Sequence, residues 1–251
     1  MLAPFGRSLA QSQLRTAAFL TGNIARRHPG AFAVTLTQGD RFYAAGPSMQ
    51  QRVVYNDFGV LNAFVPVTQT PKPSLFSKVG LKYRLKQVTC FARTSMSMAS
   101  LKWKMGRKFQ VEQFKKETAA LYEVMNEAFA SGDRSLLQHL CSPVLVAKLK
   151  ADIKRRKVTL KWKSHGEVES PRIVSVTNAN LSENDSVTQV VMRLHTKQSM
   201  AVYNDKGVCI SNNEKNPVDV IENIVFQTQF GKVDYWIIYG KLEETSPEVF
   251  K

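Results

Sequence analysis

The stretch SPVLVAKLKADIKRRKVTLKWK (residues 142–163) changes its apolar period partway along, and that change decides the fold. Its first part repeats at helical steps. Ser142 is a natural N-cap, Pro143 suits the first helical position, and Val144, Leu145, Ala147, Leu149 and Ile153 follow. Lys154, Arg155, Arg156 and Lys157 then stand where a helix dipole is negative. From Val158 the period is two. Val158, Leu160 and Trp162 alternate with Lys157, Thr159, Lys161 and Lys163, the pattern of a half-buried strand with a lysine outer face.

Downstream of this switch the chain reads as strand after strand. Arg172–Leu181 is a second strand. Val187–Tyr203 is a third, with Val190, Met192 and Leu194 on one face and Val191, Arg193, His195 and Lys197 on the other. Asn204-Asp205-Lys206-Gly207 is turn chemistry leading into Val208–Ser211, and Val218–Phe230 and Val233–Leu242 follow. Trp162 and Trp236 fall in the inward phase of their strands. Upstream, Phe114, Thr118, Leu121, Tyr122, Met125 and Phe129 recur at steps of three and four over Val111–Ser131. Gly132 stops that helix, and Asp133 caps a short one over Arg134–Leu140. Helices followed by antiparallel strands imply an α+β domain over residues 111–245, its helices packed on one face of a curved antiparallel sheet, with a tail at 246–251.

Charge divides the chain unevenly. The 251 residues carry 35 Lys and Arg against 20 Asp and Glu, a net of +15. Residues 1–110 hold 16 of the cations and two acids, Asp40 and Asp57, a net of +14; residues 111–251 hold 19 and 18, a net of +1. The first part therefore seeks a polyanion, and the second is an ordinary folded domain. Outside the N-terminal region the longest stretch free of charge is Phe58–Pro71, 14 residues with two prolines, too short for a membrane-spanning helix. Cys90, Cys141 and Cys209 stand singly, with neither metal nor disulfide spacing, which fits a reducing compartment.

Residues 1–39 contain Arg7, Arg15, Arg26 and Arg27 and no acid, among Ser, Thr, Gln and spaced apolar residues. That is the composition of a mitochondrial transit peptide. Arg41-Phe42-Tyr43-Ala44 resembles a matrix-protease site, which makes 1–43 the presequence and places the protein in the matrix. The other reading of this segment is a disordered basic tail on a cytosolic or nuclear protein. Residues 44–73, with Pro47, Pro66, Pro71 and Pro73, read as an extended arm. Phe58–Pro66 within it is too apolar for a free linker and lies against the domain or a partner.

Residues 74–110 form a basic helical segment, with a helix over Leu75–Lys108 and Ser74 as its N-cap. No acid occurs between Asp57 and Glu112. Lys72, Lys78, Lys82, Arg84, Lys86, Arg93, Lys102, Lys104, Arg107 and Lys108 are the candidate residues for binding an anionic surface, since a merely solvated face mixes both signs. Lys154, Arg155, Arg156, Lys157, Lys161 and Lys163 form a second candidate edge toward an anionic surface, although helix-dipole pairing also accounts for the first four.

Glu127-Ala128-Phe129-Ala130-Ser131-Gly132-Asp133, followed by Leu136, Leu137 and Leu140, resembles the start of the C-terminal domain of the mitochondrial import-motor subunit Tim forty-four. Gly59–Pro66, Ser74–Leu81, Arg193-Leu194-His195-Thr196-Lys197-Gln198-Ser199-Met200-Ala201-Val202-Tyr203 and Val220–Phe226 resemble one branch of that family. The branch holds a protein of the animal mitochondrial large ribosomal subunit and its fungal counterpart, the inner-membrane ribosome receptor Mba. The resemblance implies a cone-shaped Tim-forty-four-like domain at the polypeptide exit, facing the inner membrane and assisting insertion of newly made proteins. Its implied partners are mitochondrial rRNA, neighbouring large-subunit proteins, the inner-membrane surface and the insertion machinery. The chain departs from the pattern at Tyr235-Trp236-Ile237-Ile238, where relatives often follow Trp with Arg, and it ends at Lys251, short of the animal protein's tail. Whether it is a permanent subunit or a dissociable receptor stays open.

No catalytic pattern accompanies these features. His28, His139 and His195 have no carboxylate at helical or strand spacing, His165 stands beside Gly166, and the sequence holds no phosphate-binding glycine loop, HExxH, CxxC or Ser-His-Asp order. The expectation is a protein that is not an enzyme, with no cofactor, no metal and no small-molecule substrate. The competing reading is a dissociable, membrane-associated import or assembly factor that holds protein clients.

Overall fold

Local capping signals place the helices. In the computed structural model, which describes residues 57–68, 73–74, 76–106, 109–182, 185–230 and 233–250, helix α1 spans Lys78–Met105, α2 Val111–Ser131, α3 Arg134–Leu140 and α4 Pro143–Arg155. Gly132 ends α2 in the left-handed region at φ 81°, returning its N–H to Ala128 and Phe129 carbonyls. The Asp133 carboxylate accepts from the N–H groups of Ser135 and Leu136, both at 3.0 Å. Ser142 caps α4 by accepting from Leu145 N–H, while its own hydroxyl donates to the Tyr239 carbonyl at 3.1 Å. One residue therefore starts a helix and ties it to the sheet.

The start of α1 differs from the sequence expectation. Ser77, not Ser74, is the N-cap, accepting from Gly80 N–H at 2.9 Å. The Ser74 carbonyl instead closes a turn on Ser77 N–H, and it lies so near Gly80 that a Cβ there would sit 1.8 Å from it. Only glycine admits that approach.

The strands are β1 Thr159–Asn180, β2 Ser186–Tyr203, β3 Cys209–Asn212, β4 Val218–Phe230 and β5 Val233–Leu242, followed by a 3₁₀ turn at Pro247–Phe250. They form one antiparallel sheet in the order β1-β2-β4-β5. β3 pairs with the end of β2 over Ala201–Tyr203, beyond the β4 pairing, which runs from Ser186 to Gln198. The two strands expected at 157–163 and 172–181 are one. Gly166, at φ 99°, and Pro171 are absorbed as register shifts between Ser164 and Arg172, so the strand bends instead of ending.

One sheet face carries the main core. Val176, Val190, Met192, Leu194, Ile224, Phe226, Trp236 and Ile238 meet Phe114, Tyr122, Met125, Phe129, Leu137 and Leu145 of the helices. Trp236 is buried, with its ring 4.8 Å from Phe114. Trp162 is only half-buried and packs at the core edge, because β1 is an edge strand. α4 turns Leu145, Val146 and Leu149 inward and leaves Val144 exposed.

The other sheet face is covered by the arm. Val65 is fully buried against Val191 and Val225, so Phe58–Pro66 lies against the domain. Gln189 clamps the arm from β2. It accepts from Leu61 N–H and donates to the Gly59 carbonyl, both at 2.8 Å. Arg193 donates to the Pro66 carbonyl at 2.8 Å and pairs with Glu244 at 3.2 Å. Thr245 accepts from Val65 N–H at 3.0 Å and returns its own N–H to the Val65 carbonyl at 2.9 Å. No helix among the described residues is long and apolar enough to cross a membrane.

Candidate functional site

Helix α1 is where the cations gather, and its mounting decides which of them face outward. Gly80, Tyr83, Cys90 and Leu101 are its buried residues. Leu101 enters the main core, whereas Tyr83 and Cys90 join Phe64 and Val67 of the arm and Phe250 of the tail in a second cluster. The Tyr83 ring lies 5.7 Å from Phe64 and 5.8 Å from Phe250. Midway, Thr94 accepts from Val176 N–H at 3.4 Å, and the Ser97 carbonyl accepts from Asn178 Nδ2 at 3.1 Å. The helix thus lies along β1, held by arm, tail and sheet edge together.

Lys78, Lys82, Lys86, Arg93 and Lys102 are exposed. α1 has no carboxylate of its own, and among the described residues these five make no ion pair. Such side chains keep their charge available to an external anion. Arg84 is half-buried, with Nε shielded from solvent and without an acceptor among the described residues. Lys104 turns back, donating to Ser186 Oγ at 2.7 Å with its ammonium 5.8 Å from the Phe230 ring centre. Lys72, Arg107 and Lys108 lie outside the described residues.

The second basic group is more heterogeneous than its sequence suggests. Lys154 and Lys157 are exposed. Arg155 pairs with Asp152 one turn earlier. Arg156 turns inward, donating to the Ala130 carbonyl at 2.9 Å with its guanidinium 5.2 Å from the Phe129 ring centre. It caps the C-terminal end of α2, and burial lowers its pKa. Lys161 sits 5.0 Å from the Tyr203 ring centre. Lys163 pairs with Glu214 at 2.9 Å and holds that carboxyl below its ordinary value.

Sequence reasoning missed a polar group in the interior. Glu222 is almost fully buried; one carboxylate oxygen accepts from the Tyr122 hydroxyl and the other from Lys241 Nζ, both at 2.5 Å. Gln198 donates to the Tyr122 oxygen at 3.3 Å. Burial raises the Glu222 carboxyl, against the pull of Lys241 and the Tyr122 hydrogen bond, and it raises the Tyr122 phenol well above its ordinary range. The available signal was a glutamate inside the apolar run of β4. His195 also has a carboxylate nearby that strand spacing did not reveal, Glu169 across the β1–β2 pairing at 3.8 Å. Among the described residues, no three His, Cys, Asp or Glu side chains converge as a metal site.

The model of the Tim44-like domain family matches residues 96–240. The large ribosomal subunit protein mL45 of Xenopus tropicalis is 26% identical over 190 residues, covering 73% of this chain and 59% of the relative. The mL45 proteins of Bos taurus (25% over 185 residues, 73% and 60%) and Caenorhabditis briggsae (28% over 195 residues, 74% and 52%) are similar at the same level. The chain therefore spans between half and three-fifths of the length of these relatives.

Proposed function

The chain belongs to the Tim44-like domain family, and from that premise we propose that it is a non-catalytic component of the mitochondrial large ribosomal subunit. In this reading it binds rRNA beside the polypeptide exit and holds the ribosome at the inner membrane while newly made proteins insert. The name its relatives carry supports the ribosomal part. The observation that carries the mechanism is α1, a helix without carboxylates whose Lys78, Lys82, Lys86, Arg93 and Lys102 are exposed without ion-pair partners among the described residues.

These cations, with Arg84, Arg107 and Lys108 on the same segment and Lys72 just before it, neutralise rRNA phosphates, while Lys104 is withdrawn by its contact with Ser186. Lys154, Arg155, Lys157, Lys161 and Lys163 serve the anionic leaflet, each worth about 1 kcal/mol near its surface. Arg156 is withdrawn from this edge by its contact with α2. No covalent step is involved.

Salt-titrated co-sedimentation with mitochondrial large subunits tests the reading, because each neutralised phosphate releases counterions and steepens the salt dependence. Charge reversal of Lys82, Lys86 and Arg93 to Glu lowers attachment and flattens the slope, leaving the melting temperature unchanged. Reversal of Lys161 and Lys163 chiefly lowers flotation with anionic liposomes. If the triple variant sediments like the parent at every salt concentration, α1 is not the anchor.

A further inference from the structure

The face of α1 turned away from the domain is not simply basic. Leu81, Leu85, Val88, Ala92, Ala99 and Trp103 return at steps of four, three, four, seven and four, which places them along one crest of the helix. The large members are open to solvent, with Leu81 67%, Leu85 65%, Val88 64% and Trp103 85% exposed. A contiguous apolar row of this kind on a folded surface marks an interaction site. Lys82 and Arg93 stand on one shoulder of the crest, Arg84 and Lys102 on the other.

We propose that this crest is the docking seam for one amphipathic helix of a neighbouring protein, a helix with an apolar stripe and acidic flanks. The proposal rests on the reading of α1 as an interface and names what its apolar part receives. Three observations choose the occupant. The steps are those of a coiled-coil seam, and between the bulky ends Ala92, Ser95 and Ala99 form a low stretch, flanked by Met96 at 75% exposed, into which a partner's apolar side chains can pack. A bilayer would instead favour an unbroken row of large side chains. Phosphates suit the shoulders but not the crest, where apolar groups would strip their water without replacing it.

Charge fixes the partner's flanks. With no carboxylate on α1 and two cations on each shoulder, a second copy of this chain would set like charges against each other. Residues 1–39, with four arginines and no acid, meet the same repulsion. Glutamates flanking a leucine stripe meet the crest side of both shoulders, in the helix-in-groove manner of recognition, and leave Lys78, ahead of the crest, and Lys86, farther round the helix, to phosphate. Leu81, Leu85 and Val88 also precede Met96, where the family match begins.

The test titrates the purified full chain with two synthetic helical peptides, each about three heptads long. They share a leucine seam; one is flanked by Glu and the other by Lys. Docking is read from the anisotropy of a dye on the peptide and from Trp103 fluorescence, with Trp103→Phe as the optical control. The Glu-flanked peptide binds, and the Lys-flanked one binds at least about tenfold more weakly. The double variant Leu85→Ser, Val88→Ser lowers affinity for the Glu-flanked peptide by at least about tenfold, with an unchanged melting temperature and an unchanged salt slope in large-subunit sedimentation. Absence of binding, equal binding of both peptides, or undiminished binding by the double variant overturns the seam. So does a double variant that keeps the peptide but loses flotation on cardiolipin-containing vesicles, which makes the bilayer the occupant. Loss of salt-steep sedimentation with peptide docking retained refutes the ribosomal reading and leaves the seam standing.

Discussion

The Tyr83 hydroxyl accepts a 2.7 Å hydrogen bond from the main-chain N–H of Val67, joining helix α1 to the arm inside a buried cluster. Tyr83 is 1% exposed and Val67 2%, so water does not substitute for either partner. The inward row of α1 is thin, Gly80, Tyr83, Cys90 and Leu101 over 28 residues. Its own amphipathicity is a weak reason for it to dock. The arm and tail supply the missing contacts, and the cations of α1 are oriented through them.

Changing Tyr83 to Phe keeps the ring and removes the acceptor, leaving the Val67 N–H buried and unpaired. A loss of about 1–3 kcal/mol is expected, measured by thermal unfolding. Protease cleavage should appear in residues 57–68 before it appears in the sheet. A variant as stable as the parent would mean that another acceptor reaches Val67.

The two strand tryptophans separate by burial. Trp236→Ala opens a cavity against Phe114 and should cost roughly 3–5 kcal/mol. Trp162→Ala, at the core edge, should cost no more than about half of that. Equal losses in chemical denaturation would mean that the β1 edge is sealed in solution.

Glu222 gives stability a pH dependence of defined sign. Burial raises its folded carboxyl, so between the ordinary glutamate value near 4.3 and the raised one the folded state holds a proton that the unfolded chain has released. Stability from this group is complete below about pH 4.3 and declines as pH rises through the folded value. Glu222→Gln removes the titration, and its melting temperature should fall less steeply than the parent's as pH rises above the ordinary glutamate value of about 4.3. Parallel profiles would place the titrating group elsewhere.

Arg156 and Lys154 are two residues apart and differ in use. Arg156→Ala removes the donor to the Ala130 carbonyl and the contact with Phe129, and should cost about 1–2 kcal/mol. Lys154→Ala should stay within about 0.5 kcal/mol. A neutral Arg156→Ala in thermal melts would mean that water satisfies the end of α2.

The parts of the fold legible in the sequence are those set by near neighbours. The period switch after Lys157, the stop at Gly132 and the caps at Asp133 and Ser142 all lie where their residues imply. The merging of two expected strands into β1 was not legible, because glycine and proline signal a break or a bulge with the same residues, and only pairing with β2 decides between them. The arm's destination was hidden for a related reason. Gln189 and Arg193 look like solvated outer-face residues until Gly59, Leu61 and Pro66 arrive from far along the chain. Within the candidate site, the positions of the cations could be read directly. Which of them are engaged internally could not, since Lys104 meets Ser186 and Arg156 meets Ala130 only in the folded chain.

The ring cluster of Phe64, Tyr83 and Phe250 also sets an order of events during synthesis. Translation delivers the arm and α1 first, and the tail that completes their seat comes after the whole sheet. Until Thr245 and Phe250 have emerged, the inner side of α1 lacks one wall, and Tyr83 and Cys90 are open to whatever lies nearby. Closing so long a loop is slow compared with forming the helix itself. The nascent chain therefore carries an unseated basic helix until residues 245–250 have been made, and only then does its charged face become fixed in direction.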